Sequence, residues 1–527
     1  MPLNLNKVVG FFMIRWLNKC RLVISSRSMV VLIIAILTVS ANANETSEEV
    51  DVNKVDNLNE ASSSEPPNIV FILVDDQRND SLGVAGHPII KTPNIDKLAN
   101  SGVRFVNAFA TTAICMASRA TIFTGLTETS HGYTGGSKPA TPLLKQDIDT
   151  AFPVLLRNAG YRTGYFGKQH VKFAEGNKKA LTRMFDSHEV IGRNPYFKKQ
   201  ANGSLRHTAD LIGDRSVEFL EKQSKDTPFS LYMSFNIAHA EDKDHRPGVG
   251  HFPWPPSVDG LYEDIEPAPP TLGDARYFDV NPDFLKKSLN RQRWHWRWDT
   301  PEKYRLNMRA MYRMLTGMDK VVGRVTNKLK ALGFDKNTII IYTADNGYYM
   351  GDRGFAGKWS HYEQSLRVPL IVNDPRLPEE NKGTLVNSIA LNLDLPATML
   401  AMAGIEVPDK YQGNSIVPIL QGEIPKDWRS DFFTEHHMSH PNIPQWTGVR
   451  GSRYTYANYY DQSPAYEFLY DLEQDPTQLH NLAKSPEYKE ILATMRKKDK
   501  AYIEKYTRAE ILKWKQSYFN KKKNLAK

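Results

Sequence analysis

Two nearly continuous apolar runs, far apart in a 527-residue chain, constrain its fold most. Ile69-Val-Phe-Ile-Leu-Val74 stops at Asp75-Asp76, and Ile339-Ile-Ile-Tyr-Thr-Ala344 stops at Asp345-Asn346-Gly347. A short run with no solvent face, bounded by turn residues, reads as a strand buried on both sides, as in a sheet covered by helices. The intervening sequence agrees. Strands are expected at Asn68–Val74, Tyr161–Phe166, Phe229–Phe235 and Thr338–Tyr342, alternating with helical patterns such as Asn94–Ser101 and Tyr304–Lys330. Met308, Met311, Leu315 and Met318 recur at helical spacing in the last of these and read as core. The expected class is α/β, a large mostly parallel or mixed sheet sandwiched by helices.

Length allows about three domains, or fewer and larger ones. With 41% hydrophobic and 24% charged residues the chain can build a core, which excludes a wholly disordered, collagenous or coiled-coil protein. One long apolar stretch, Met29–Ser40, excludes a polytopic membrane protein. That stretch follows five basic residues and no acid and precedes Ala41-Asn42-Ala43, the pattern of a secretory signal peptide over 1–43. An uncleaved anchor is the alternative. Removing the leader lowers the formal charge from +9 to +4, which weakens a nucleic-acid reading. Residues 44–66, rich in acids and Ser, read as a flexible linker.

Residues 67–427 are expected to form the main domain. The stretch 241–303 interrupts it, with seven prolines over 247–270 and Trp-His-Trp-Arg-Trp at 294–298, and reads as an insertion over one face of the sheet. From Trp428 the texture changes: aromatic and β-branched residues over Trp446–Tyr460, a strand at Glu467–Asp471 and a charged helical pattern over 486–518 predict a smaller C-terminal α+β domain, 428–527. The Lys-rich end, from Lys521, reads as a solvated tail.

Ligands of open α/β sheets gather outside the carboxyl ends of strands. Asp75, Asp76, Asp345 and Asn346 stand at two such ends, and carboxylates so clustered repel unless a cation joins them. All-oxygen ligands favour Ca2+ or Mg2+ over Zn2+. Each pair taken alone also reads as a turn. Two further strands run into Lys168-Gln169-His170 and into His239. The chain has two cysteines, Cys20 in the leader and Cys115. After cleavage Cys115 has no intramolecular disulfide partner. Its context, Cys115-Met-Ala117-Ser-Arg119 through Thr124-Gly125, places it at a helix N-terminus with Arg119 one turn on, the environment of a nucleophile. A Cys–His hydrolase or a redox thiol are the other readings.

This segment resembles the signature of the type I, formylglycine-dependent sulfatases: Cys, any residue, Pro or Ala, any residue, Arg, then Thr-Gly. Asn68–Asp76, Thr92–Ala99, Gly160–His170, Asp345–Gly347, Gly357-Lys358 and Tyr470–Pro476 are similar to further family landmarks in family order, over about 67–482. The resemblance implies an alkaline-phosphatase-like fold and conversion of Cys115 to formylglycine (3-oxoalanine) by a maturation enzyme. It implies one Ca2+ on Asp75, Asp76, Asp345, Asn346 and residue 115. In the implied mechanism the aldehyde hydrates to a gem-diol that attacks sulfur, and a second hydroxyl then expels sulfate. Arg119 and Lys168 orient and activate the gem-diol, His170 partners its second hydroxyl, Lys168 and Lys358 bind sulfate oxygens, and His239 protonates the leaving alcohol. Ala117 stands where Pro is commoner, which bears on which maturation enzyme acts.

The substrate expected is a sulfated polysaccharide or its oligosaccharides, with algal glycans such as ulvan or carrageenan favoured and a glycosaminoglycan open. The tryptophans of the insertion suit sugar rings or merely pack it. His245, Arg246, His251, Arg291, Arg293 and Arg297, with the later Glu435-His-His-Met-Ser-His440, suit sulfate and carboxylate groups. The product is expected to be periplasmic or secreted, with no nucleic-acid partner and no stable membrane insertion. A phosphodiesterase or phosphonate monoester hydrolase on the same fold is one rival. A dizinc alkaline-phosphatase-type enzyme fits less well, because Asp345-Asn346 stands where a zinc-ligand His is expected. A non-catalytic sulfated-glycan-binding protein is disfavoured by Cys115, Arg119, Lys168, His239 and Lys358 all being present.

Overall fold

The two apolar runs lie side by side as parallel strands in the middle of an eight-stranded sheet. Its strands are β1 (Asn68–Val74), β2 (Val103–Phe105), β3 (Arg162–Gly167), β4 (Ser187–Val190), β5 (Phe229–Ser234), β6 (Thr338–Ala344), β7 (Leu370–Asn373) and β8 (Thr384–Val386). Their spatial order is β8-β2-β7-β6-β1-β5-β3-β4. Only β7 runs antiparallel to its neighbours; every other adjacent pair is parallel. All residues of β1 and β6 are buried, as the absence of a polar face required. The Asn68 side chain pins the register at their start, accepting from Phe229 N and donating to Thr338 Oγ1.

The computed structural model describes residues 65–135, 141–243 and 250–525, within a unit spanning Glu65–Lys527. The leader, Cys20, most of the linker, His245 and Arg246 lie outside the described residues. Helices cover both faces of the sheet. Phe123 of α2 (Cys115–Thr124) packs on Tyr165 and Tyr232, whereas Phe219 of α3 (Thr208–Leu220) packs on Phe166. Adjacent strand residues point to opposite faces, so these helices lie on opposite sides. The Met-striped segment is α5 (Pro301–Ala331), started by Pro301 and by Thr300, whose side chain accepts from Lys303 N. Its methionines are core, and its buried Asp319 accepts from the N-terminal amides of α1 (Pro93–Asn100), where a negative charge is favoured.

The insertion is built of short elements rather than a loop, ending in α4 (Leu289–Arg297). Beyond it, β9 (Asp431–His436), β10 (Trp446–Gly451), β11 (Tyr454–Tyr459) and β12 (Tyr466–Asp471) form an antiparallel meander. One face carries Val449, Tyr456 and Leu469 against Leu492 and Met495 of α6 (Lys489–Tyr506). The other packs Phe432, Trp446 and Phe468 with Phe109, Tyr349 and Tyr362. The helical pattern at 486–518 divides into α6 and α7 (Ala509–Leu525). At the break, Arg508 is drawn onto the buried carboxylate of Asp147 and the Ser130 carbonyl. Among the described residues no helix is long and apolar enough to cross a membrane.

Gly167 closes β3 at φ +123°, and a Cβ there would stand 1.9 Å from the Ser234 carbonyl oxygen. Glycine is what lets β3 lie against β5 just before Lys168. Gly167→Ala should destabilise the protein by at least about 1–3 kcal/mol, the cost of such a backbone conformation for a residue with a side chain. The expected result is a lower urea midpoint at unchanged m-value.

Candidate active site

Parallel register brings the strand ends together. Leu73 pairs with both Ser234 and Thr343, Val74 with Ala344, and Gly167 with Ser234. Asp75, Asp345 and Lys168, each one residue further on, therefore emerge on one rim. Asp76 turns away from the strand at φ +57° and His170 at φ +55°, a region that non-glycine residues seldom adopt. Asp75 N donates to Ile237 O at 2.7 Å, tying β1 to the segment that carries His239.

Cys115 is the first residue of α2, after an extended Ile114 with no side-chain cap, so the positive end of the helix points to the rim. Its Sγ lies 3.2 Å from His170 Nδ1 and 3.8 Å from Lys358 Nζ. Arg119, one turn on and fully buried, donates from Nε to Asp345 Oδ2 at 2.7 Å and from Nη1 to Lys168 O and Ser234 Oγ. Lys358 is held from two sides: Asn290 of α4 donates to its carbonyl, and Trp446 of β10 donates to the carbonyl of Trp359. Trp359 also packs against Ile114 and Ala117.

Three carboxylates and three cations meet here, all buried. Lys168 is paired with Asp75, Lys358 with Asp76 and Arg119 with Asp345. Burial opposes ionisation of Asp75, but Lys168, Lys358 and Arg119 overcome it and hold its carboxyl well below the usual range. Burial and the neighbouring Asp75 charge push Asp345 up. Burial, Lys168, Arg119 and Lys358 keep His170 well below the usual histidine range. His239, whose Nδ1–H faces Ala240 O at 2.7 Å and whose Nε2 lies 3.7 Å from Asp76, is lowered by burial and then by Arg193, Lys358, Lys168 and Arg293.

The donor set fits a hard cation. Asp75 Oδ1, Asp76 Oδ2 and Asn346 Oδ1 are buried without a hydrogen-bond partner, a costly state that oxygen-coordinated metal relieves. Ligand atoms of Asp75, Cys115 and Asp345 lie within 4.8 Å of one another. The Asn346 amide nitrogen donates to Asp76 and to Gly347 O, which leaves its oxygen as the atom available to an ion.

Every site residue expected from the sequence, Asp75, Asp76, Cys115, Arg119, Lys168, His170, His239, Asp345, Asn346 and Lys358, lies on this rim. The peripheral expectations divide. Arg291 lies over the rings of Phe278 and Trp294, Arg297 is fully buried, and Trp298 is core beside Phe252. Glu435 and His436 are buried in β9, where Glu435 accepts from Thr129 and pairs with His437. Sequence reading missed Ser234, Arg193 and Asp242. Ser234 was detectable as the hydroxyl at a strand end, but Asp242 meets its arginines across the fold, Arg193 from one segment and Arg293 and Arg297 from α4.

Comparison with known proteins gives the same picture. A family model described as Sulfatase matches residues 67–405, and one described as N-sulphoglucosamine sulphohydrolase, C-terminal, matches 351–505. An N-acetylglucosamine-6-O-sulfatase of Bacteroides thetaiotaomicron is 27% identical over 91% of this chain and 92% of its own length. An ulvan-active sulfatase of Formosa agariphila is 27% identical over 83% of this chain and 81% of its own. The solved structure of a 2-O GAG sulfatase superposes with a TM-score of 0.69 at 26% identity, covering 84% of this chain and 93% of that one. With the family model spanning well over half of the sequence and the strand-end cluster in place, this chain belongs to the sulfatase family and is a sulfuric ester hydrolase.

Proposed function

We propose that this sulfatase is exported and removes sulfate from a sulfated polysaccharide or its oligosaccharides, using as nucleophile the gem-diol (hydrated aldehyde) of residue 115, a cysteine converted to formylglycine. The observation that carries this reading is the placement of Cys115 at the helix N-terminus, against His170 and Lys358 and beside unpartnered carboxylate oxygens. Maturation is a two-electron oxidation: a maturation enzyme with an external oxidant takes the Cβ thiol to a thioaldehyde, and water then gives the aldehyde as the sulfur leaves as hydrogen sulfide. The expected periplasmic or secreted location and the division into 1–43, 44–66, 67–427 with its insertion 241–303, and 428–527 belong to the same reading. Relatives named for N-acetylglucosamine-6-O-sulfate and for ulvan support a glycan substrate, and algal glycans such as ulvan or carrageenan remain the favoured class.

In this proposal Asp75, Asp76, Asp345, Asn346 and residue 115 hold one Ca2+, which when bound draws electron density from a sulfate oxygen. The protein's own groups do the rest. Lys168 and Lys358 hold the sulfate oxygens, where negative charge must be stabilised. Arg119 fixes Asp345 and Lys168 with respect to residue 115. His170, kept neutral by burial and by the charges of Lys168, Arg119 and Lys358, is set at residue 115 to take a proton. His239 delivers a proton to the leaving oxygen; the anionic ester offsets Arg193, Lys168 and Lys358 and raises its proton affinity on binding.

Three outcomes are expected. Mass spectrometry of the peptide containing residue 115 from active protein should show the aldehyde, and Cys115→Ala should fold yet not turn over; full activity with an intact thiol would refute the conversion. A crystal structure with metal should show oxygen ligands at roughly 2.3–2.6 Å, and Asp345→Ala should lose metal and activity together. Nitrogen ligands at roughly 2.0–2.1 Å would instead mean zinc. His239→Ala should lower kcat/KM for a sulfated sugar by about 10²–10⁴-fold, and far less for a nitrophenyl sulfate whose leaving group needs no proton. Equal losses on both substrates would remove the acid role from His239.

A further inference from the structure

Beyond His239, three guanidiniums converge on one carboxylate. Asp242 accepts from Arg293 Nη2 at 2.8 Å, from Arg193 Nη2 at 3.4 Å and from Arg297 Nη2. Guanidinium stays charged at any working pH, so the cluster carries an excess of positive charge. A structural ion pair needs one partner for one carboxylate; burying further cations is costly unless another anion joins them. Arg297, fully buried and reaching the Tyr348 hydroxyl, is the anchor. Arg193 and Arg293 keep side-chain exposures of 19% and 12%, and Arg293 Nε is buried without a partner.

Both arms border the reaction site. Arg193 Nε donates to the carbonyl of Ala240, the residue after His239, at 3.4 Å. Arg293 lies over the ring of Trp359, the residue after Lys358, at 4.7 Å from its centroid. Their field also contributes to lowering the proton affinity of His239. The two arms thus flank the rim between the proposed acid and a proposed sulfate-binding lysine.

We propose that Arg193 and Arg293, pinned by Asp242 against Arg297, form a second anion subsite that takes a carboxylate or a further sulfate of the sugar whose ester is cleaved. This rests on the glycan-sulfatase reading above and narrows it to polyanionic sugars. Planar, bidentate guanidiniums held by an acid suit either group.

The test compares three probes: a monosulfated neutral disaccharide, the same disaccharide with a second sulfate, and one with a uronate carboxylate. Wild type should prefer one or both anionic probes over the neutral one, and the preferred probe identifies the group bound. Arg193→Met and Arg293→Met should each reduce that preference, as a ratio of kcat/KM values, by roughly 10- to 100-fold, mainly through KM. Arg293→Lys, which keeps the charge but not the fork, should recover part of it. Thermal unfolding monitors the fold, and the Lys variants carry the measurement if the Met variants do not fold. Wild type active on all three without preference, or variants that lose all three equally, overturns the subsite alone. Wild type inactive on all three overturns the glycan reading as well.

Discussion

The buried pair between Arg119 and Asp345 is the joint on which the rest of the site depends. It links the first turns of α2 to the end of β6, and the same guanidinium holds the backbone of Lys168 and the hydroxyl of Ser234. Losing one partner of such a pair typically costs about 3–5 kcal/mol, because an uncompensated charge is left in low dielectric. Around it, Asp75, Asp76 and Asp345 are balanced by Arg119, Lys168 and Lys358. A divalent cation held by these carboxylates would leave the group with excess positive charge, which suits an anionic ester. Selectivity for anions is thus built into the count of charges before any substrate-specific loop is considered.

Three regions of the chain must be in place for that count to be realised. The central sheet supplies the strand ends. The insertion, through Asn290, and the C-terminal meander, through Trp446, hold the backbone of Lys358 and Trp359. Leu289 N also donates to Asn442 O, so the insertion and the meander brace each other above the site. Lys358 therefore owes its place to residues well before and well after it. The C-terminal sheet is thus tied by a hydrogen bond to the residue that follows Lys358.

Much of this was legible in the sequence because burial on both faces leaves a plain mark. β1 and β6 were found from unbroken apolar runs, and their acidic ends marked the rim. Cys115 was found because a lone cysteine outside the expected leader, followed by Ala117 and Arg119, is an unusual pattern. The short strands β2, β4, β7 and β8 were not found, since three or four residues carry too little periodicity. The single helix expected over 486–518 divides at Thr507-Arg508, where Arg508 is held by Asp147 and the Ser130 carbonyl, contacts that no local pattern announces.

By itself the sequence determined the four central strands β1, β3, β5 and β6, the identity of the groups at their carboxyl ends and the family. These follow from hydrophobic pattern and local order, which are properties of contiguous residues. Tertiary structure alone decided which charges pair, which carboxylate oxygens are left bare, and which arginines of the insertion face the rim. Arg291 and Arg297 looked equivalent to Arg293 in the sequence, yet one lies on aromatic rings, one is sealed in the core, and one reaches the rim beside Arg193. The physical reason is that charge compensation in a low-dielectric interior is a property of distances across the fold, and residues 193, 242 and 293 acquire those distances only when the chain has closed.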